Sequence, residues 1–83
     1  MSQMNQAELM RIFAEILEVD SNRLSERSSP ENVQGWDSVK SMEIVITIEE
    51  ALCFEFSASE LAEMTSIGAT KEILIRRGMV IPE

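Results

Sequence analysis

Through Val19 the apolar residues recur at intervals of three and four, with Leu9, Ile12, Phe13, Ile16 and Leu17 on one side and Glu8, Arg11, Glu15 and Glu18 on the other. That spacing predicts a surface helix from about Asn5 to Val19 with one buried face. The period then breaks. From Asp20 to Trp36 the chain carries Ser, Asn, Pro and Gly without sustained alternation, and only Leu24 and Val33 are placed to pin this stretch to a core. A loop of that length is uncommon in a compact domain and is usually functional or disordered.

Helical spacing resumes from about Ser38 to Leu52, with Asp37 in position to cap the helix by accepting from the N–H of Val39 or Lys40. Ser57 and Glu60 form an S-x-x-E capping box for a short third helix, about Ala58 to Met64. Ser66 is placed to cap a fourth helix running to about Arg77; Lys71, Arg76 and Arg77 suit its negative end and Gly78 suits the position after it. The tail 79–83 is expected to fray unless Val80 or Ile81 docks. The pattern therefore describes an all-α chain: one domain over residues 1–83, a four-helix bundle with a long first loop and a short third helix.

The second helix does not show a single stripe. At about 100° per residue, Ile44, Val45, Ile48, Ala51 and Leu52 share one arc, the expected core face, while Val39, Met42 and Ile46 share another on the far side. Lys40, Glu43, Thr47 and Glu50 border the second arc, and Ser38 lies beside Met42 around the helix. Periodicity alone leaves two readings open. A small bundle that buries this helix on nearly all sides makes Val39, Met42 and Ile46 core; an exposed docking surface gives Met its adaptable packing and lets the flanking charges choose the partner.

Charge sharpens the picture. Fifteen acidic residues against seven basic ones leave a net charge of −8, which disfavours nucleic acid and anionic membrane as partners and favours basic proteins. No Lys or Arg lies between Lys40 and Lys71, whereas Glu43, Glu49, Glu50, Glu55, Glu60 and Glu63 do, so the second half is expected to present a one-signed surface. A solvated face kept acidic for solubility is the plain alternative. The chain has no histidine and one cysteine, which removes Ser-His and Cys-His nucleophile pairs, histidine metal sites and an internal disulfide. No apolar run approaches a membrane span, and the first residues lack the basic-then-apolar order of a signal peptide. A cytoplasmic, monomeric protein without a metal or catalytic residues of its own is the expectation.

The run Gly35-Trp36-Asp37-Ser38-Val39 carries the candidate chemistry. It sets Ser38 at a loop-to-helix corner, near the positive end of the helix dipole, where a hydroxyl is accessible and backbone N–H groups suit a phosphate. Trp36 either meets a partner or packs across the loop onto the core, and packing is the expectation. Cys53 has no neighbouring base or cation in the local sequence to lower its pKa, and is expected to be a small, half-buried apolar residue rather than a redox thiol.

This corner, followed by Ile44-Val45, Ile48-Glu49-Glu50, Phe54-Glu55-Phe56 and Thr65-Ser66-Ile67, resembles the acyl carrier protein family from about Gly35 to Ile75, and more loosely through the first helix. The resemblance implies that Ser38 receives phosphopantetheine from CoA through a phosphopantetheinyl transferase, with Asp37 as the cap beside it. The terminal thiol of the arm then holds an acyl or aminoacyl group as a thioester for presentation to a loading enzyme and to downstream synthases or transferases of fatty-acid, polyketide or specialised-metabolite biosynthesis. It also implies that the second helix is read by partners, which favours the docking role for Val39, Lys40, Met42, Glu43, Ile46 and Glu50.

Departures from the family pattern bear on partner choice. Val39 stands where leucine is frequent, Lys40 puts a cation beside the attachment position, and Cys53 replaces a glycine or polar residue. The Gly-Gly-His-Ser type of signature is absent, which points to a stand-alone rather than a peptidyl carrier. The competing classes are an unmodified carrier-like adaptor or subunit, and an acidic mimic of nucleic acid, against which the serine motif and second apolar stripe argue.

Overall fold

A computed structural model describes residues 3–81. Its four helices are α1 (Gln6–Leu17), α2 (Ser38–Leu52), α3 (Ala58–Glu63) and α4 (Ile67–Arg76), with one 3-10 turn at Ser21–Arg23. The fold is the all-α bundle expected from the spacing. Asn5 is the cap of α1 and not its first residue: its side chain accepts from the Glu8 N–H at 2.8 Å and the Glu8 carboxylate accepts from the Asn5 N–H at 3.0 Å. The helix also ends earlier than Val19, because Glu18 turns left-handed at φ 60° and the Val19 N–H bonds back to Ala14. Likewise α3 stops at Glu63 and α4 at Arg76, with Met64 and Arg77 as the capping residues and Gly78 left-handed just beyond.

The core is built from the inner faces of three helices: Leu9, Phe13 and Leu17 from α1, Ile44, Ile48 and Leu52 from α2, and Ile67, Ile73 and Leu74 from α4. Leu24 and Val33 pack against it from the loop, as their spacing predicts. Two members of the predicted core arc on α2 lie further out: Val45 is half-buried and Ala51 is exposed, since the arc is wider than the buried face of Ile44, Ile48 and Leu52. Over the described residues the tail is docked through Val80. Val80 is buried, Met4 N–H donates to Met79 at 2.9 Å and Ile81 N–H to Met4 at 3.1 Å, so the segments before α1 and after α4 hold each other. Ile81 itself is half exposed, and the rest of the tail expectation, at positions 82 and 83, lies outside the described residues.

The long loop is ordered by its own serines. Ser25 N–H donates to Ser28 Oγ, Ser29 N–H to Asn32 Oδ1, and Asn32 Nδ2 to the Arg27 carbonyl. So folded, the loop presents the carbonyls of Ser28 and Glu26 to the N–H groups of Ile67 and Gly68 at 3.0 and 2.9 Å. These first-turn donors of α4 have no intrahelical partner, and the loop supplies one. The contact requires glycine: a Cβ on residue 68 sits 2.8 Å from the Glu26 carbonyl oxygen. Lys71 secures the same junction by an ion pair to Glu26 and a 3.2 Å bond to Gln6 Oε1.

Candidate functional site

The loop ends in a fixed corner. Gly35 takes φ 88°, which turns Trp36 inward, where its ring meets Phe13 at 5.7 Å between centroids and its indole N–H donates to Ser41 Oγ at 2.9 Å. Trp36 is thus buried core, as expected, with its polar edge satisfied from inside α2. Asp37 is extended and caps α2 through Lys40 N–H at 2.9 Å, the second of the two donors its position offers.

Ser38 is the first residue of α2 and is exposed. The Ser38 and Val39 N–H groups have no acceptor among the described residues, so this end of the helix presents two open donors to an anion. Beside Ser38 runs an apolar groove of about 310 Å³ lined by Ser41, Met42, Val45 and, across from α3, Leu61. A smaller, partly open space of about 80 Å³ lies behind it, walled by Phe13, Trp36, Ile44 and Met64 and sharing Ser41, Val45 and Leu61 with the groove.

The far stripe of α2 is exposed. Val39 is 66%, Met42 60% and Ile46 47% accessible, against 0% for Ile48 on the opposite face. The alternative of a fully buried helix is therefore excluded. Glu43 and Glu50 flank the stripe and are exposed. Lys40 leans the other way: it is half-buried and its ammonium pairs with Glu18 at the end of α1, 3.6 Å away.

The acidic surface is less one-signed than the sequence interval implies. Glu49 turns in to accept from the Phe56 N–H at 2.9 Å, while Arg77 reaches Glu60 at 2.7 Å and Arg76 reaches Glu63 at 3.1 Å. The cations absent from the sequence between Lys40 and Lys71 are supplied in space by α4. The main-chain N–H of Ser57, with Arg77 adding to it against some loss of water, holds the Glu60 carboxyl below its ordinary value. Cys53 also departs from expectation: it is exposed, because it occupies the left-handed residue that ends α2, φ 55°, with its thiol turned toward the Glu50 carbonyl. The Asn5–Glu8 box and the Ser28–Ile67 junction were missed by sequence reasoning; the Asn-x-x-Glu spacing signals the first, and nothing local signals the second.

The model of the family described as "Phosphopantetheine attachment site" matches residues 7–74. The chain belongs to this family. It is accordingly a carrier with covalently attached phosphopantetheine and not a catalyst, and its partners include the transferase that installs the arm and enzymes of biosynthesis. Its fold is similar to that of the solution NMR structure of a holo acyl carrier protein from Geobacter metallireducens, with a TM-score of 0.74 and 23% identity over 84% of this chain and 80% of that one. No curated protein matches the chain.

The residues present fit such an arm. The open N–H groups of α2 suit its phosphate, and the apolar groove leading from Ser38 suits the chain beyond it. Among the described residues no cluster of metal-binding side chains occurs, and no helix is long and apolar enough to cross a membrane.

Proposed function

We propose that Ser38 carries the phosphopantetheine arm and that the chain presents an acyl or aminoacyl intermediate, as its thioester, to partner enzymes of fatty-acid, polyketide or specialised-metabolite biosynthesis in the cytoplasm, acting as a single-domain monomer. The observation that carries this reading is the exposed Ser38 hydroxyl at the open N-terminus of α2, at the head of an apolar groove. Within residues 7–74 this serine has the accessibility that a modifying enzyme needs.

The roles of the surrounding residues follow from their places. Asp37 holds the first turn of α2, and Trp36 with Ser41 fixes the angle at which the loop enters it, so Ser38 is presented on rigid backbone. The arm supplies a thiol that tethers the cargo, which raises its effective concentration at each partner without tight docking of the carrier. Val39, Met42 and Ile46 give a small apolar contact, and Glu43 and Glu50 attract a basic partner surface over longer range. Lys40, paired with Glu18, moderates that charge next to the attachment point and helps decide which partner is accepted.

Incubation with CoA and a broad-specificity phosphopantetheinyl transferase, followed by intact mass, tests the assignment. The Ser38 oxygen forms a bond to the pantetheine phosphorus, the pyrophosphate link of CoA breaks, adenosine bisphosphate leaves and the serine proton passes to base. The native chain gains one arm and Ser38→Ala gains none. Modification of Ser38→Ala moves the site elsewhere, and a native chain that is never modified leaves the unmodified adaptor as the reading.

A further inference from the structure

The short helix α3 is held in an unusual way for an element that walls a cavity. It has six residues, none of them buried, and its backbone packs against α4 alone. A helix of that length has little stability of its own. Phe56 before it and Met64 after it pack into the core, and the end of α4 supplies the polar contacts to it. Arg77 donates from Nη1 to Glu60 Oε1 at 2.7 Å and from Nη2 to the Glu55 carbonyl at 3.0 Å, and its guanidinium lies 5.0 Å from the centre of the Phe54 ring. Arg76 adds a bond to Glu63 at 3.1 Å. One guanidinium thus ties together the end of the α2–α3 loop, the first turn of α3 and α4, a fork geometry that lysine does not reproduce.

What this latch holds in place is the partition beside the attachment serine. Leu61 lines both the open groove next to Ser38 and the smaller space behind it, and Met64, just past α3, lines the smaller space alone. The volume of this smaller space is about 80 Å³. A cavity of about 150 Å³ accepts benzene, so the latched space has room for about three carbon atoms. A longer chain has to lie in the groove or in solvent unless α3 swings out.

We infer that Arg77 is a specificity-determining residue that sets, through α3, the length of acyl chain this carrier encloses. The inference rests on the attachment at Ser38 proposed above. In the latched state the three alkyl carbons of a butyryl group are accommodated, and the end of a medium chain stays outside, open to partner enzymes. Arg77 acts through Leu61 and Met64 and does not touch the cargo, so it is a positioning residue for the cavity wall.

The protein is loaded by a broad-specificity transferase from butyryl-CoA or octanoyl-CoA carrying carbon-13 in the terminal methyl group, and nuclear Overhauser contacts from that methyl to Ile44 and Met64 are recorded. On the native carrier the octanoyl methyl shows no contact to either residue and the butyryl methyl contacts them. In Arg77→Ala the octanoyl contacts appear. Glu60→Gln, which keeps an oxygen for the Ser57 N–H but loses the charge that Arg77 pairs with, gives the same gain and serves alone if Arg77→Ala does not fold. Octanoyl contacts already present in the native carrier, or absent from both variants, overturn the inference and leave Ser38 attachment standing. A chain that accepts no arm at all overturns both.

Discussion

The Trp36 indole N–H and the Ser41 hydroxyl meet at 2.9 Å, a bond that joins the last turn of the long loop to the helix the loop introduces. Five residues apart, the two bracket Ser38. The indole is buried against Phe13, and Ser41 Oγ is the acceptor its N–H uses. Ser41→Ala is therefore expected to cost about 1 kcal/mol, the usual net value of such a bond, and up to about 3 kcal/mol if the N–H is left fully unpaired. Urea unfolding followed by Trp36 fluorescence measures it. An unchanged midpoint would show that the bond does not hold the corner.

A second constraint lies where loop and α4 touch. Gly68→Ala places a methyl 2.8 Å from the Glu26 carbonyl, and that atom is backbone, itself bonded to the residue 68 N–H. The loop has to lift to make room. A loss of about 1–3 kcal/mol is expected, as for other forced overpacking. The same lift weakens the Ile67–Ser28 bond, so amide exchange at Ile67 rises more than at Ile73; equal protection at both would locate the strain elsewhere.

Glu60 gives the pH dependence its sign. Its folded-state pKa is depressed below 4.5, first by the Ser57 N–H and further by Arg77. The stability this contributes is present above the unfolded value and is lost as pH falls through the lowered one. Glu60→Gln lacks the contribution, so the gap in stability between native and variant is full at neutral pH and closes at pH values below 4.5. Denaturant midpoints for both proteins across that acid range check it. A gap that persists unchanged into acid means that the carboxylate charge is not what the fold uses.

Much of this arrangement is legible in the chain, and the exceptions have physical causes. The caps at Asp37, Ser57 and Ser66 are local, each a side chain bonded to an N–H three residues on, and local chemistry is written in local sequence. The exposed stripe of Val39, Met42 and Ile46 follows from periodicity joined to the family resemblance. What stays hidden depends on distant residues. Arg76 and Arg77 neutralise carboxylates on α3, Glu18 draws Lys40 back from Ser38, and Val80 finds Met4 only when the bundle has closed. Cys53 is exposed for a different reason: it is the left-handed residue that ends α2, a placement its own side chain does not signal.

The two faces of α2 separate docking from folding. Met42 and Ile46 are 60% and 47% exposed, so truncating either to alanine removes little buried contact, and a change within about 0.5 kcal/mol is expected. Ile48 is fully enclosed, and Ile48→Ala is expected to cost about 2–5 kcal/mol through lost burial and the cavity left behind. If the stripe docks partners, arm installation on Met42→Ala and Ile46→Ala slows although both fold as the native chain does. Chemical denaturation of the three variants, alongside single-turnover modification by the transferase, reads the two properties independently. Native modification rates in both stripe variants, with stability unchanged, would sink the docking role of this patch while leaving Ser38 as the attachment point, since Ser38 is presented by the corner at Trp36 and Asp37 and not by the stripe.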